Sequence, residues 1–134
     1  MERIEGHWVS NMPLCGVHAV AHVADKSVKE MFYMFKRRFN KPGQWRGRVT
    51  HQERGIMLNQ LGIEYKHVVG TTGTLSRWVD WHTSKSETYI IETSCHVQVV
   101  RDGVVTDQSE TKPIDKYRWK RARVVRAIVI KGKR

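Results

Sequence analysis

The sequence predicts an α+β fold: N-terminal helices, one of which starts at a cysteine, packed on an antiparallel β-sheet that carries a histidine and an aspartate. The chain has 134 residues, which suits a single domain over residues 1–134. Apolar residues in the first half recur at helical spacing, whereas the second half is β-rich. Helices followed by strands, without βαβ alternation, are typical of α+β proteins.

The composition is that of a globular chain with its own core. Hydrophobic residues make up 40% of the chain, and a domain of this length buries roughly two-thirds of its unfolded surface, so it needs no disulfide. The segment Met1–Glu5 is charged and lacks the apolar run of a signal peptide. No stretch approaches the roughly 20 apolar residues of a membrane span. We therefore expect a cytoplasmic, intracellular protein without a membrane span.

The first half contains three predicted helices. The alanine-rich segment Cys15–Ala24 has no helix breaker after Gly16, and Pro13 lies just before it, where a missing N–H costs little. Ser27 and Glu30 have capping-box spacing at the start of the second helix. The apolar residues of this helix fall at i, i+3, i+4, i+7 and i+11 and form one stripe. They are Val28, Met31, Phe32, Phe35 and Phe39.

The next elements are also marked by their ends. Thr50 and Glu53 have capping-box spacing and open a third helix, which Gly62 stops. We expect a strand over residues 63–69 and a short helix over residues 74–82, which are separated by a glycine-rich turn.

The second half has the signals of an antiparallel sheet. Residues 88–91 are apolar and β-rich, and a last strand is expected near residues 123–130. Between them, residues 96–100 and 104–107 flank Asp102-Gly103, which is the strongest short hairpin signal.

Cys15 is the candidate nucleophile. It lies at the predicted start of a helix, where backbone N–H groups and the helix dipole stabilise a thiolate and lower the pKa of the thiol. Only one other cysteine, Cys95, is present, and in a chain without a secretion signal a reactive thiol is more informative than a bridge. A buried cysteine is more often inert, so a catalytic Cys15 needs a base held on another element.

Hairpin geometry selects the partners of this thiol. A two-residue turn at Asp102-Gly103 makes His96 and Asp107 diagonal neighbours on one face, within roughly 7–8 Å between backbones. Asp102 lies about 20 Å along the strand from His96, which is too far to orient the ring. We therefore predict His96 as the general base and Asp107 as the carboxylate that fixes its tautomer. A lone histidine is more often structural, and the joint order of cysteine, histidine and aspartate is what favours catalysis.

The residues around these positions resemble the papain-like cysteine peptidase superfamily. The segment Asn11–Val20 resembles its Cys-Gly helix start. Residues 95–107 resemble the bacteriocin-processing peptidase domain of peptide-exporting ABC transporters, in which a catalytic histidine opens a strand and an aspartate ends the return strand. The resemblance covers most of the chain from Asn11 onward, through short motifs. It implies a papain-like fold, a Cys15, His96 and Asp107 triad and a protein or peptide substrate.

Two positions depart from the family pattern. Leu14 stands where the family usually has an acidic residue, and Val9 stands where it has the glutamine that donates to the oxyanion. Asn11 is nearer and has a suitable amide, so it is the candidate oxyanion donor together with the Cys15 N–H. The missing glutamine leaves open a transferase, a narrower hydrolase or a catalytically inactive papain-like protein that serves in binding.

The strong positive charge supports a rival function. The formal net charge is +11, which predicts attraction to polyanions such as nucleic acid. Basic residues cluster in 36–38, 46–48 and 116–134, and the last cluster includes Tyr117 and Trp119, whose rings could stack on bases. A solvated basic surface explains the pattern equally well, and the sequence has no helix-turn-helix, zinc-finger or RNA-recognition signature. The alternative is thus a basic nucleic-acid-binding protein, of the small basic kind that phages encode. The sequence indicates no obligate partner.

A metal site is the other rival. Cys15, His18 and His22 share one helix face and could hold zinc together with Cys95 or His96. Three ligands spread over two turns of one helix rarely converge on one ion, so we predict no metal. No organic cofactor is predicted either, because the sequence has no glycine-rich phosphate loop.

Overall fold

The computed structural model describes residues 13–70, 72–94 and 96–133. Within these ranges the chain has four helices and a six-stranded antiparallel sheet, so the predicted α+β class is confirmed. The helices are α1 (Cys15–Ala24), α2 (Val28–Arg38), α3 (His51–Gln60) and α4 (Leu75–His82). The strands are β1 (Ile63–His67), β2 (Thr88–Thr93), β3 (Val97–Arg101), β4 (Val104–Thr106), β5 (Thr111–Pro113) and β6 (Val124–Lys133), and a 3-10 turn spans Ile114–Lys116.

The strands are ordered β1-β6-β2-β3-β4-β5, and every neighbouring pair is antiparallel. The last strand, β6, lies between β1 and β2. The β3–β4 hairpin pairs Arg101 with Val104 and turns at Asp102-Gly103. Both turn residues have positive φ, 51° and 73°, as a type I′ turn requires. The hairpin is therefore present with the register that the sequence predicts.

Helices α1, α2 and α3 pack in one core with one face of the sheet. The α2 stripe buries Met31, Phe32 and Phe35 in the same cluster as Leu14 and Ile90. Full burial of one such side chain stabilises the fold by about 1.5–3 kcal/mol, so the stripe fastens α2 to the sheet. None of the helices that the structure describes is long and apolar enough to cross a membrane.

The opposite face of the sheet packs against α4 and the segment after the 3-10 turn. Trp78 and Tyr117 are each 1% exposed, and they share a second core with Tyr89 and Ile91. Ile90, between these two strand residues, belongs to the first core, which is the alternation expected of a strand covered on both faces. The sheet is therefore the middle layer of three.

The predicted helix starts are present. Thr50 Oγ1 accepts the Glu53 N–H at 3.1 Å and Glu53 Oε1 accepts the Thr50 N–H at 3.0 Å, which completes a capping box. Ser27 Oγ accepts the Glu30 N–H at 3.0 Å, and Thr74 caps α4 through the N–H of Arg77.

The strand ends differ from the prediction. β1 ends at His67, before the predicted end at residue 69, and β6 runs on to Lys133. No prediction covers β5, whose three residues are all exposed and so carry no apolar alternation. Its proline is tolerated because β5 is an edge strand.

Candidate active site

Cys15 is the first residue of α1, as the sequence predicts. The first backbone bond of the helix runs from the His18 N–H to the Leu14 carbonyl at 2.7 Å. The N–H groups of residues 15–17 therefore have no acceptor within the helix, and Leu14 supplies no side-chain cap. These donors and the positive end of the helix dipole lie beside the thiol, where they favour a negative charge.

Close packing fixes this helix start. A Cβ on Gly16 would lie 2.7 Å from Val49 Cγ2, so the chain after the thiol has room only for glycine. Leu14 is fully buried, and Gly47, at φ +114°, approaches it so closely that a Cβ there would lie 2.5 Å from Leu14 Cδ2. Leu14 thus anchors the start of α1 in the core.

His96 and Asp107 lie at the open end of the β3–β4 hairpin. His96 immediately precedes β3 and Asp107 immediately follows β4, so each lies one residue outside the strand that was predicted to contain it. His96 Nε2 and Asp107 Oδ2 are 2.9 Å apart. The structure therefore brings the two residues together by the diagonal relation that the hairpin register predicts.

The Asp107 carboxylate is enclosed by donors. Its side chain is fully buried, and its Oδ1 accepts the backbone N–H groups of Ser109 and Glu110 at 2.8 and 2.9 Å. The Tyr117 hydroxyl lies 2.7 Å from Oδ2 and donates to it. Burial alone would raise the pKa of this carboxyl, but the bonds from His96, Tyr117 and the two N–H groups hold it well below the usual range. Asp107 is therefore ionised, and it fixes the orientation of the imidazole.

The imidazole links this carboxylate to the thiol. Because Nε2 of His96 bonds Asp107, Nδ1 is the ring nitrogen left for Cys15, and the two side chains interact electrostatically in one cleft. Burial would lower the pKa of His96, but the bonds to Asp107 and Cys15 raise it to about 9. Burial would raise the pKa of Cys15, but His96, the N–H of Val97 and the charge of Arg54 lower it. Both shifts favour a thiolate–imidazolium pair.

The pair is accessible. Cys15 and His96 line one open cleft with a volume of about 180 Å³. Arg48 and Val49, before α3, and Ser94, between β2 and β3, also line the cleft. The thiol and the imidazole are therefore open to a molecule that enters this cleft.

Tyr117 is a site residue that sequence reasoning missed. The sequence predicts a ring that could stack on bases, but this expectation is wrong, because Tyr117 is 1% exposed and donates to Asp107. Its neighbour Trp119 is 40% exposed, and its ring centroid lies 6.4 Å from that of His96. No local signal marks Tyr117, since its role depends on a chain reversal at the 3-10 turn.

Arg54 was missed as well. It lies on α3, is 7% exposed and donates to Glu92 Oε1 at 2.6 Å. Its charge contributes to the lowered pKa of Cys15. The capping box predicts the helix that carries Arg54, but nothing in the sequence of that helix indicates which strand its side chain reaches.

Two other expectations concern ligands. Within the described ranges, no group of three His, Cys, Asp or Glu side chains could hold a metal. The rings of His18 and His22 are 5.8 Å apart, and burial, followed by the charge of His22, lowers the pKa of His18 to about 4. The predicted oxyanion donor Asn11, like Cys95, lies outside the described residues.

Comparisons with protein-family models, curated proteins and solved structures found no match to this chain.

Proposed function

We propose that the protein is a cysteine hydrolase of papain-like type that cleaves a peptide or isopeptide bond in a protein or peptide. Cys15 is the nucleophile, His96 the general base and acid, and Asp107 the orienting carboxylate. The observation that carries the proposal is the buried Asp107–His96 bond at 2.9 Å, with the imidazole and the Cys15 thiol lining the same open cleft. A carboxylate, an imidazole and a nucleophile in series are the parts that acyl transfer requires.

The acylation step uses the pair as it stands. The thiolate of Cys15 attacks the substrate carbonyl carbon, and a C–S bond forms as the carbonyl π electrons move to oxygen. His96 then gives its proton to the amine nitrogen, the C–N bond breaks, and a thioester remains on Cys15. The amine leaves with the proton that His96 carried.

Deacylation reverses the roles. His96, now neutral, takes a proton from water as the water oxygen attacks the thioester carbonyl. Collapse of this second tetrahedral species breaks the C–S bond and releases a carboxylic acid, and the thiolate–imidazolium pair is restored. Asp107 stays ionised throughout and stabilises the imidazolium.

The oxyanion of each tetrahedral species needs donors. The Cys15 N–H at the start of α1 is one, because it has no acceptor within the helix. We assign the side-chain amide of Asn11 as the second donor, in the role that glutamine has in the resembled family.

The chain order supports a papain-like arrangement. A cysteine at a helix start, a histidine before a strand and an aspartate at the end of the return strand occur in the same order in the bacteriocin-processing peptidase domains that the sequence resembles. As in those domains, helices α1, α2 and α3 of this chain come before the strands of the sheet.

The test of this function is the reactivity of two cysteines in one molecule. Iodoacetamide labelling is followed across a pH series by mass spectrometry of the separated peptides, with Cys95→Ala as the matched control for a change of cysteine number. We expect Cys15 to be labelled below pH 7 faster than free N-acetylcysteine, and His96→Ala to abolish this advantage. Hydrolysis of a mixed peptide library should likewise depend on Cys15 and survive Cys95→Ala. Labelling of Cys15 no faster than the free thiol at every pH would contradict the proposal.

A second function, contact with a polyanion, is supported by a surface around α4. Trp81 is 73% exposed, and the Arg77 guanidinium lies 5.5 Å from its ring centroid. The Leu75 N–H donates to the Ala122 carbonyl and the Ser76 N–H to the Lys120 carbonyl, both at 2.8 Å. These bonds hold the basic segment 118–123 against the start of α4. Exposed rings beside arginines suit stacking on single-stranded bases.

Salt dependence tests this second function. We expect a fluorescent oligothymidine to bind with an affinity that falls steeply as salt rises, and Trp81→Ala to weaken binding by about 1–3 kcal/mol. Arg77→Gln, which removes one positive charge from this surface, and Arg38→Gln, which removes one from α2, are the matched pair that tests the role of charge. Binding that responds equally to both variants indicates the overall charge and not this surface.

A further inference from the structure

A second, smaller pocket adjoins the Cys15 cleft. Its volume is about 30 Å³, and Arg54 and Glu92 line both cavities. Its other lining residues include Tyr65, Ile90, Arg126 and Ile128. The pocket therefore combines an apolar and aromatic wall with charged groups. Arg54 and Glu92 lie between it and the cleft that contains the nucleophile.

The charges of this pocket do not balance. Arg54 Nη2 donates to Glu92 Oε1 at 2.6 Å, and Arg126 Nη1 donates to the same oxygen at 3.0 Å. Two guanidinium groups thus share one carboxylate, and Glu92 is the sole acid among the described residues that line either cavity. Arg54 is 7% exposed and has Glu92 as its counter-charge, as charges so deeply buried normally do. The guanidinium of Arg126 in the smaller pocket is therefore left without a full counter-charge.

On this geometry we propose that the second pocket is a substrate subsite for an acidic side chain, aspartate or glutamate, close to the bond that Cys15 attacks. The carboxylate binds the Arg126 guanidinium, whose side chain is 39% exposed, and so neutralises the surplus charge. The methylene stem of the substrate residue lies against Ile90 and Ile128. Arginine forks suit carboxylates because they offer two parallel donors. The subsite rests on the proposed function, which makes this cleft the place where substrate binds.

Two matched alkylating reagents test the subsite. N-iodoacetyl-glutamate amide and N-iodoacetyl-glutamine amide are nearly equal in size and differ in charge. Second-order rate constants for Cys15 labelling are measured on the full chain near pH 9.5, above the usual cysteine pKa of about 8.5, so that labelling needs no activated thiol. The rate constant for the glutamate reagent is divided by that for the glutamine reagent, and this ratio is compared with the same ratio for free N-acetylcysteine. We expect the ratio for Cys15 to be about 3-fold higher or more, as befits one partly exposed ion pair.

Two variants distinguish binding in the pocket from attraction by the net positive charge of the whole protein. Arg126→Gln should return the ratio to that of N-acetylcysteine, whereas Arg38→Gln on α2 should leave it raised. An equal ratio for Cys15 and N-acetylcysteine, or an equal response to the two variants, overturns the subsite. Failure of the proposed hydrolase has a different signature, because it shows as an unreactive Cys15 below pH 7 whatever the ratio is near pH 9.5.

Discussion

Replacing Asp107 by asparagine tests how the imidazole acquires its charge. In the native site His96 has a pKa of about 9 against an ordinary 6.5. A shift of 2.5 units corresponds to about 3 kcal/mol, which the water of the open cleft reduces to about 2 kcal/mol. In Asp107→Asn the negative charge is lost while burial persists, so we expect the pKa of His96 to fall by about two units, toward 6.5 or below.

Tautomer exchange adds to this loss. The asparagine NH₂ group that replaces Oδ2 donates to Nε2 of His96, so the ring proton moves to Nδ1 and faces Cys15. The imidazole then cannot take a proton from the thiol or from water. Comparable tautomer reversal lowers turnover by about 10⁴-fold in a serine hydrolase. We expect iodoacetamide labelling of Cys15 near pH 7 to slow to the rate of an ordinary buried thiol or below.

The assay is a proton NMR titration of the imidazole C–H signals, with His96→Gln to assign the signal. Glu110→Gln is the matched control, because it removes a carboxylate that Arg118 also faces, at 3.7 Å, without contacting His96. A His96 pKa that stays near 9 in Asp107→Asn, or that falls equally in Glu110→Gln, would refute the assignment of the shift to Asp107.

Three further predictions follow from neighbouring contacts. Tyr117→Phe removes a 2.7 Å bond to a buried carboxylate, so urea unfolding should show a loss of about 2 kcal/mol, and Asp107 should titrate at a higher pH. Gly16→Ala places a Cβ 2.7 Å from Val49 Cγ2; we expect about 1–3 kcal/mol of destabilisation, slower Cys15 labelling, and recovery of both in the double variant with Val49→Ala. His18 has its pKa lowered to about 4 from 6.5, so the unfolded chain binds a proton first and stability falls by about 3 kcal/mol as the pH drops from 6.5 to 4. Urea titrations at pH 7 and 4 should show this loss in the native protein, and a loss of equal size in His18→Gln would contradict the cause.

Local patterns were sufficient for the elements that hold the proposed nucleophile and base. The helix Cys15–Ala24 begins where an alanine-rich run follows a proline, and the hairpin turns where Asp102-Gly103 supplies two residues that tolerate positive φ. The relation of His96 to Asp107 follows from counting along that hairpin, because the side-chain period of a strand is fixed. Signals of this kind extend over a few residues and survive in any tertiary context.

Long-range pairing was not predictable in the same way. Insertion of β6 between β1 and β2 joins residues that are distant in the chain. The apolar pattern of β6 predicts that the strand is buried, but it does not indicate which strands it pairs with. Tyr117 and Arg54 are of the same kind. Each is polar, and each reaches a partner on another element. Composition placed Tyr117 in a basic surface and gave no role to Arg54. What a polar side chain bonds is decided by tertiary approach, which hydrophobic periodicity does not encode.

The sign of the change in thiol reactivity on folding distinguishes an activated site from an ordinary buried cysteine. Burial raises the pKa of Cys15, so folding without the imidazole makes the thiol less reactive than it is in the unfolded chain. Bonds from His96 and from the Val97 N–H reverse this sign by stabilising the thiolate. Labelling near pH 7 should therefore be faster in the native protein than in urea, and slower in native His96→Ala than in urea. If the native protein were the slower of the two, α1 and the hairpin would meet without activating the sulfur, and the hydrolase would lose its physical basis.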